Sequence, residues 1–163
     1  MSGYATLLTF HIVTGAVGLL LGPVLMWADA HRWRRAGDLG FLYLGMVVAV
    51  GVSAIIMVVV RRDELWWLIP VSVLTVGLAS LGRYAVGRAG GWSHAYVHGL
   101  GGSYIALVTA TVVVSYAIDG PLYGGAQLIA WLGPTAVGTP LLEVWRRGVW
   151  VEGGRRFVAG RAS

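Results

Sequence analysis

The stretch 39-LGFLYLGMVVAVGVSAIIMVVV-60 decides the fold class. It carries no charge from Leu39 to Val60, and Arg61 and Arg62 close it. As a helix it reaches about 33 Å, which matches a bilayer hydrocarbon core of about 30 Å. Four more stretches have this character. Tyr4–Trp27 is interrupted only by His11. Leu65–Leu81 opens on Trp66 and Trp67 and ends near Arg83. Ala95–Ile118 is free of charge. Leu122–Trp145 contains Pro134, Pro140 and Glu143 and is the least apolar of the five. These runs predict an all-α, polytopic integral membrane helix bundle. Its five transmembrane helices lie at about 4–27, 39–60, 65–81, 95–118 and 122–145. The bundle occupies residues 1–148, and an Arg-rich cytoplasmic tail occupies 149–163.

Composition points the same way. Of 163 residues, 57% are hydrophobic and 12% charged, and mean hydropathy is +0.74. A soluble domain carries about 25% charged residues. The 25 glycines suit the close helix contacts of membrane bundles. The formal net charge is +5 and the pI about 10.1, with every basic residue an arginine. These arginines stand between apolar runs, so the expected partners are the bilayer and its anionic cytoplasmic headgroups rather than nucleic acid. A membrane-protein partner or a homo-oligomer is a further expectation. The chain has no cysteine, which excludes disulfides, thiolate metal sites and covalent c-type haem. "ADA" at 28–30 has the small-x-small look of a signal cleavage site. No positive segment precedes the first apolar run, and that run is long for a signal, so it reads as a mature helix.

The arginines orient the chain. With five spans, Arg32, Arg34, Arg35, Arg83, Arg88, Arg146, Arg147, Arg155, Arg156 and Arg161 share one side, and only Arg61 and Arg62 fall on the other. The N-terminus is therefore expected outside and the tail in the cytoplasm, across a bacterial inner membrane. "GLLLG" at 18–22 is a GxxxG, and Ala95, Gly99, Ser103, Ala106 and Ala110 form a small-residue stripe. Packing within this one chain is the preferred reading of both. Trp27, Trp33, Trp66, Trp67, Trp92 and Trp145 fall near the predicted interfaces as an aromatic belt.

Ionisable residues at membrane depth call for partners. His94 and His98 stand four apart and share a helix face. His11 lies about 10 Å below the outer end of the first span, and His98 about 6 Å above the inner end of the fourth. No haem reaches both, and the two-haem pattern of b-type cytochromes fails with a lone outer histidine. One inner-leaflet site remains. His94 and His98 could hold a divalent metal, with His31 as a third ligand and Asp29 or Glu143 supplying oxygen. Alternatively, His31 and one of the pair could hold a single haem b. The plainer reading is that both histidines hydrogen-bond at an interfacial helix start. It is preferred because H-x-x-x-H recurs by chance, and Tyr96 and Val97 stand where zinc proteases carry their central Glu. Glu143 precedes Arg146 and Arg147 by three and four residues, the order of a helical ion pair at the membrane edge. His11 reads as a histidine hydrogen-bonded across helices, with a proton-relay role left open. "GRAGG" lacks the Lys of a phosphate loop, no serine triad is visible, and no catalytic residue is assigned.

The first quarter carries a resemblance. "HIVTGAVGLLLGP" followed by "HRWRRAGDLGFLYLG" resembles a bacterial family of multi-pass membrane proteins, domain-of-unknown-function family 2306. The matching positions are His11, Gly22, Pro23, His31, Arg32, Gly40 and Tyr43, within residues 8–45. The resemblance implies a membrane bundle and draws interest to His11 and His31; it implies no activity. Two function classes follow from the whole reading. One is a small accessory or transport-type inner-membrane protein. The other is a membrane redox or metal protein with its site on His94, His98 and His31.

Overall fold

Five helices and no strand form among the described residues, which in this computed structural model are 3–31, 33–86, 92–118 and 120–159. The side chains of residues 30, 92, 93 and 148–159 are outside that description. The helices are α1 (Gly3–Ala30), α2 (Ala36–Arg61), α3 (Leu68–Ala85), α4 (Trp92–Val112) and α5 (Gln127–Ala159). Four of them provide segments long and apolar enough to cross a membrane: Gly3–Asp29, Ala36–Arg61, Leu68–Ala85 and His94–Ile118. The last of these joins α4 to a π-helical turn, Val113–Ile118.

The predicted fifth span is a helix, α5, but it is not one of those four. Pro134, Pro140 and Glu143 dilute its apolar character. It is also longer than expected. Its 33 residues run about 50 Å. The predicted boundary at 148 therefore falls inside one continuous helix, and the expected tail is helical backbone as far as Ala159. α3 begins at Leu68 rather than 65 because Asp63–Leu65 forms a 3-10 turn. It runs on to Ala85, past the predicted end at 81, carrying Arg83 with its guanidinium 3.8 Å over the Phe41 ring. Arg32, Arg88 and Arg161, all used in the charge reading, lie outside the described residues.

Successive helices pack side by side: α1 on α2, α2 on α3, α3 on α4 and α4 on α5. α4 also touches α1, so the first four close into a bundle. α5 packs chiefly along α4. Glycines set how near the helices come. A Cβ on Gly99 of α4 would lie 2.5 Å from the Gly82 nitrogen of α3, so these two backbones touch. Gly22 of α1 leaves room for the Tyr104 ring, and Gly18 packs against Leu107 and Met46. Both glycines of the GxxxG are thus used inside the chain, as are Gly99 and Ser103 of the small-residue stripe of α4.

The outward faces stay apolar: Leu20 is 72% and Val59 71% exposed, along with Ile12, Leu128, Ile129 and Val144. A helix that is apolar all round needs an apolar surrounding on its outer face. The core in turn admits polar pairs. Ser103 donates to the Leu100 carbonyl at 2.7 Å, so the Tyr43 hydroxyl, 3.0 Å away and fully buried, donates to Ser103. This ties α2 to α4 by an interhelical hydrogen bond. The six tryptophans of the expected belt differ in their surroundings, Trp92 lying outside the description of side chains. Trp27, Trp33 and Trp66 are exposed near helix ends, whereas Trp67 packs on Trp131 and Trp145 packs on Tyr96.

Candidate functional site

The four-helix bundle is hollow at one end. A cavity of about 470 Å3 opens among α1, α2, α3 and α4, within the usual range of about 300–1,000 Å3 for small-molecule sites. Tyr4, Arg62, Leu65 and Ser115 surround it near the ends of their helices. Leu19, Val47, Ala106 and Leu107 form its deep end near mid-helix. Gly15 and Ala16 on α1, Gly51 and Ala54 on α2, and Ala106 and Ala110 on α4 keep its walls thin.

Its polar lining is Tyr4, His11, Arg62, Ser72, Thr75, Thr111 and Ser115. Thr75 donates to the Val71 carbonyl at 2.7 Å and Thr111 to the Leu107 carbonyl at 2.9 Å, each within its own helix. These bonds occupy the hydroxyl protons. His11 differs. Its Nδ1 lies 2.9 Å from Ser53 Oγ across the α1–α2 contact. Ser53 already donates its only proton to the Ala49 carbonyl at 2.7 Å, shared with Val50 at 3.0 Å. The arrangement that keeps all of these bonds puts the proton between them on His11 Nδ1. In the neutral ring Nε2 is then a lone-pair acceptor, on a side chain that lines the cavity. The Val50 carbonyl is a further neighbour of the ring. The expected cross-helix hydrogen bond of His11 is thus present.

Charge gathers at the cavity rim in compensated form. Arg61 lies 5.3 Å over the Tyr4 ring, and Arg62 Nε donates to Glu64 at 2.5 Å. The Glu64 carboxyl is held below its ordinary range, first by its own backbone N–H and then by Arg62.

The opposite end holds the other sequence candidates. His94 and His98 do share a face, with near-parallel rings 5.9 Å apart, and both are exposed. An Arg146 guanidinium nitrogen lies 3.5 Å from His94 Nε2. Glu143 accepts from Arg146 Nε at 2.6 Å and Nη2 at 2.5 Å, and from Arg147 Nε at 2.9 Å. The helical ion pair read from the sequence is therefore formed, and with both arginines. His31 sits apart: Nδ1 donates to the Trp27 carbonyl at 2.8 Å, and the ring stacks on Trp27 at 4.6 Å. Asp29 neighbours Tyr96 as a hydrogen-bond partner. Among the described residues no group of three or more His, Cys, Asp or Glu side chains is placed to hold a metal ion. The proposed ligand set of His31, His94, His98 and Asp29 or Glu143 is therefore not assembled as drawn from the sequence. The pair His94 and His98 is brought together, and an arginine rather than a carboxylate stands beside it.

No protein-family model matches this chain, and neither a curated protein nor a solved structure matches it. The cavity is the feature that sequence reasoning missed. One signal pointed to it: small residues on the inner faces of α1, α2 and α4, with a histidine among them.

Proposed function

We propose that this chain is a five-span bacterial inner-membrane protein of accessory or transport type whose working part is the cavity among α1–α4. The cavity carries the reading: a small bundle that encloses an empty space lined by one oriented histidine is built to receive something. The N-terminus and the cavity mouth face outward, and α5 is the fifth span, with its arginine-bearing half in the cytoplasm. The arginine asymmetry supports this orientation. Kinship with domain-of-unknown-function family 2306 belongs to the same proposal, since its matching positions here include His11 at the cavity and Gly22 and Tyr43 in the helix packing of the core.

The test uses the absence of native cysteine. A single cysteine at Ala110 should react with a small, membrane-impermeant thiol reagent added to the outer side. One at Ala79, fully buried at the packed end, should not. Reporter fusions after Arg35, Gly90 and Ser163 should read cytoplasmic, and one at Gly120 external. An inert Ala110 cysteine defeats the outward-facing cavity; a cytoplasmic Gly120 defeats the five spans.

The stacking of His94 on His98 keeps a second reading in view, one haem b or divalent metal at the cytoplasmic leaflet. Purified protein with no Soret band and no stoichiometric metal would remove it.

A further inference from the structure

The cavity has a length as well as a volume. Its α1 wall runs from Tyr4 to Leu19, about 22 Å along the helix. A cavity of about 470 Å3 drawn out along that length forms a slot that suits an elongated guest rather than a compact one. His11 divides it. Above His11 lie about 10 Å of wall towards Tyr4 and Arg62, and below it about 12 Å of wall down to Leu19. The deep half, lined by Leu19, Val47, Ala106 and Leu107, presents only apolar side chains.

Within the slot the hydroxyls of Thr75 and Thr111 are spent on their own helices, so they offer a guest no proton. His11 Nε2 offers a lone pair, because Ser53 fixes the proton on Nδ1. An acceptor in an apolar surrounding is costly to leave without a donor. The group that fits here therefore brings a proton to donate. A purely hydrocarbon guest would fill the slot and leave Nε2 without its bond. A guest with a carboxylate or phosphate would set negative charge against a lone pair.

We propose that the slot binds an uncharged amphiphile: a single hydrocarbon chain in the deep half and a hydroxyl that donates to His11 Nε2. Long-chain alcohols, prenylated hydroquinones and protonated fatty acids share this chemistry. The inference rests on the cavity named above but not on its sidedness or on the number of spans.

The experiment is photoaffinity labelling of the purified full chain in detergent, with a dodecanol carrying a diazirine on its chain. Label should map to the deep half, around Leu19, Val47 and Leu107. Unlabelled dodecanol, a short-chain prenylated hydroquinone and dodecanoic acid at low pH serve as competitors, and dodecane as the control without a hydroxyl. Competition by at least one hydroxyl-bearing compound but not by dodecane supports the proposal, and the strongest competitor identifies the source. His11→Leu should weaken competition about tenfold, as expected for one hydrogen bond worth about 1.4 kcal/mol. Ala110→Phe, which adds a ring to the cavity wall, should abolish labelling. Equal competition by dodecane, or a His11→Leu protein that behaves as wild type, overturns the hydroxyl site. A reactive Ala110 cysteine alongside that result would leave the cavity itself standing, so the two readings fail separately.

Discussion

The two ends of this bundle are built on opposite uses of small residues. At the end where α3 finishes and α4 starts, Gly82 and Gly99 let two backbones meet, and nothing larger fits. At the other end Gly15, Ala16, Ala54 and Ala110 line the cavity. A Cβ on Gly15 would meet only Val50 Cγ2, at 3.8 Å. The same residue type therefore brings helices together in one half and holds a space open in the other. What decides between them is the partner on the facing helix. Glycine opposite glycine draws the backbones into contact. Glycine opposite a larger side chain, as Gly15 is opposite Val50 and Gly18 opposite Leu107, leaves that side chain to set the spacing.

The largest expected effect breaks the packed half. Gly99→Ala places a methyl 2.5 Å from the Gly82 nitrogen and 2.8 Å from the Leu78 carbonyl oxygen. Backbone cannot rotate aside as a side chain can. Overpacking of this kind costs about 1–3 kcal/mol, and the upper end is expected here. Gly15→Ala is its counterpart in the hollow half. It meets ordinary contact only and gains helix propensity worth about 0.5–1 kcal/mol, so it should be neutral or stabilising. A thermal-shift comparison in detergent should separate the two in sign. Equal losses would mean that both ends are packed alike.

That contrast also marks how far the sequence could be read. The charge-free run at 39–60 and its three companions were legible because crossing a bilayer constrains every residue of the helix. The small stripe on α4 was legible as a packing face, but its facing glycine on α3, Gly82, was not, because pairing across helices leaves no periodic trace in either one. His94 and His98 were legible as one face, since helix geometry alone puts them there. Their third ligand was not settled by sequence: His31 bonds back to Trp27, a local contact that competes with any distant one. The cavity was the least legible feature. A void is set by the lengths of side chains on four helices at once, and each helix taken singly shows only a few alanines and glycines. α5 fell between these cases, its helix legible and its apolar character weakened by two prolines and a carboxylate.

A smaller effect sharpens the comparison within the packed core. Tyr43→Phe removes the donor to Ser103 and leaves the Ser103–Leu100 bond in place. Because Ser103 keeps one partner, the loss should be close to the average for interhelical bonds in membranes, about 0.6 kcal/mol. A loss several times larger would show that Ser103 depends on the tyrosine for its position and that the α2–α4 contact is held by this pair.

The smallest effect belongs to Glu143, which lies beyond both halves on α5. Its carboxylate is shared between Arg146 and Arg147, and its side chain is 36% exposed. An ion pair in that setting gains little, because water and salt screen it and two long side chains must be held still to make it. Glu143→Gln keeps the shape of the side chain and one carbonyl oxygen to accept from Arg146. Arg146 also retains its contact with His94. The thermal midpoint should therefore stay near that of the wild type at both low and high salt. A midpoint that collapses, and does so equally at both salt concentrations, would place Glu143 inside the membrane. There the neutral amide would leave Arg146 as an uncompensated charge, and α5 would have to sit deeper than its exposed face now suggests.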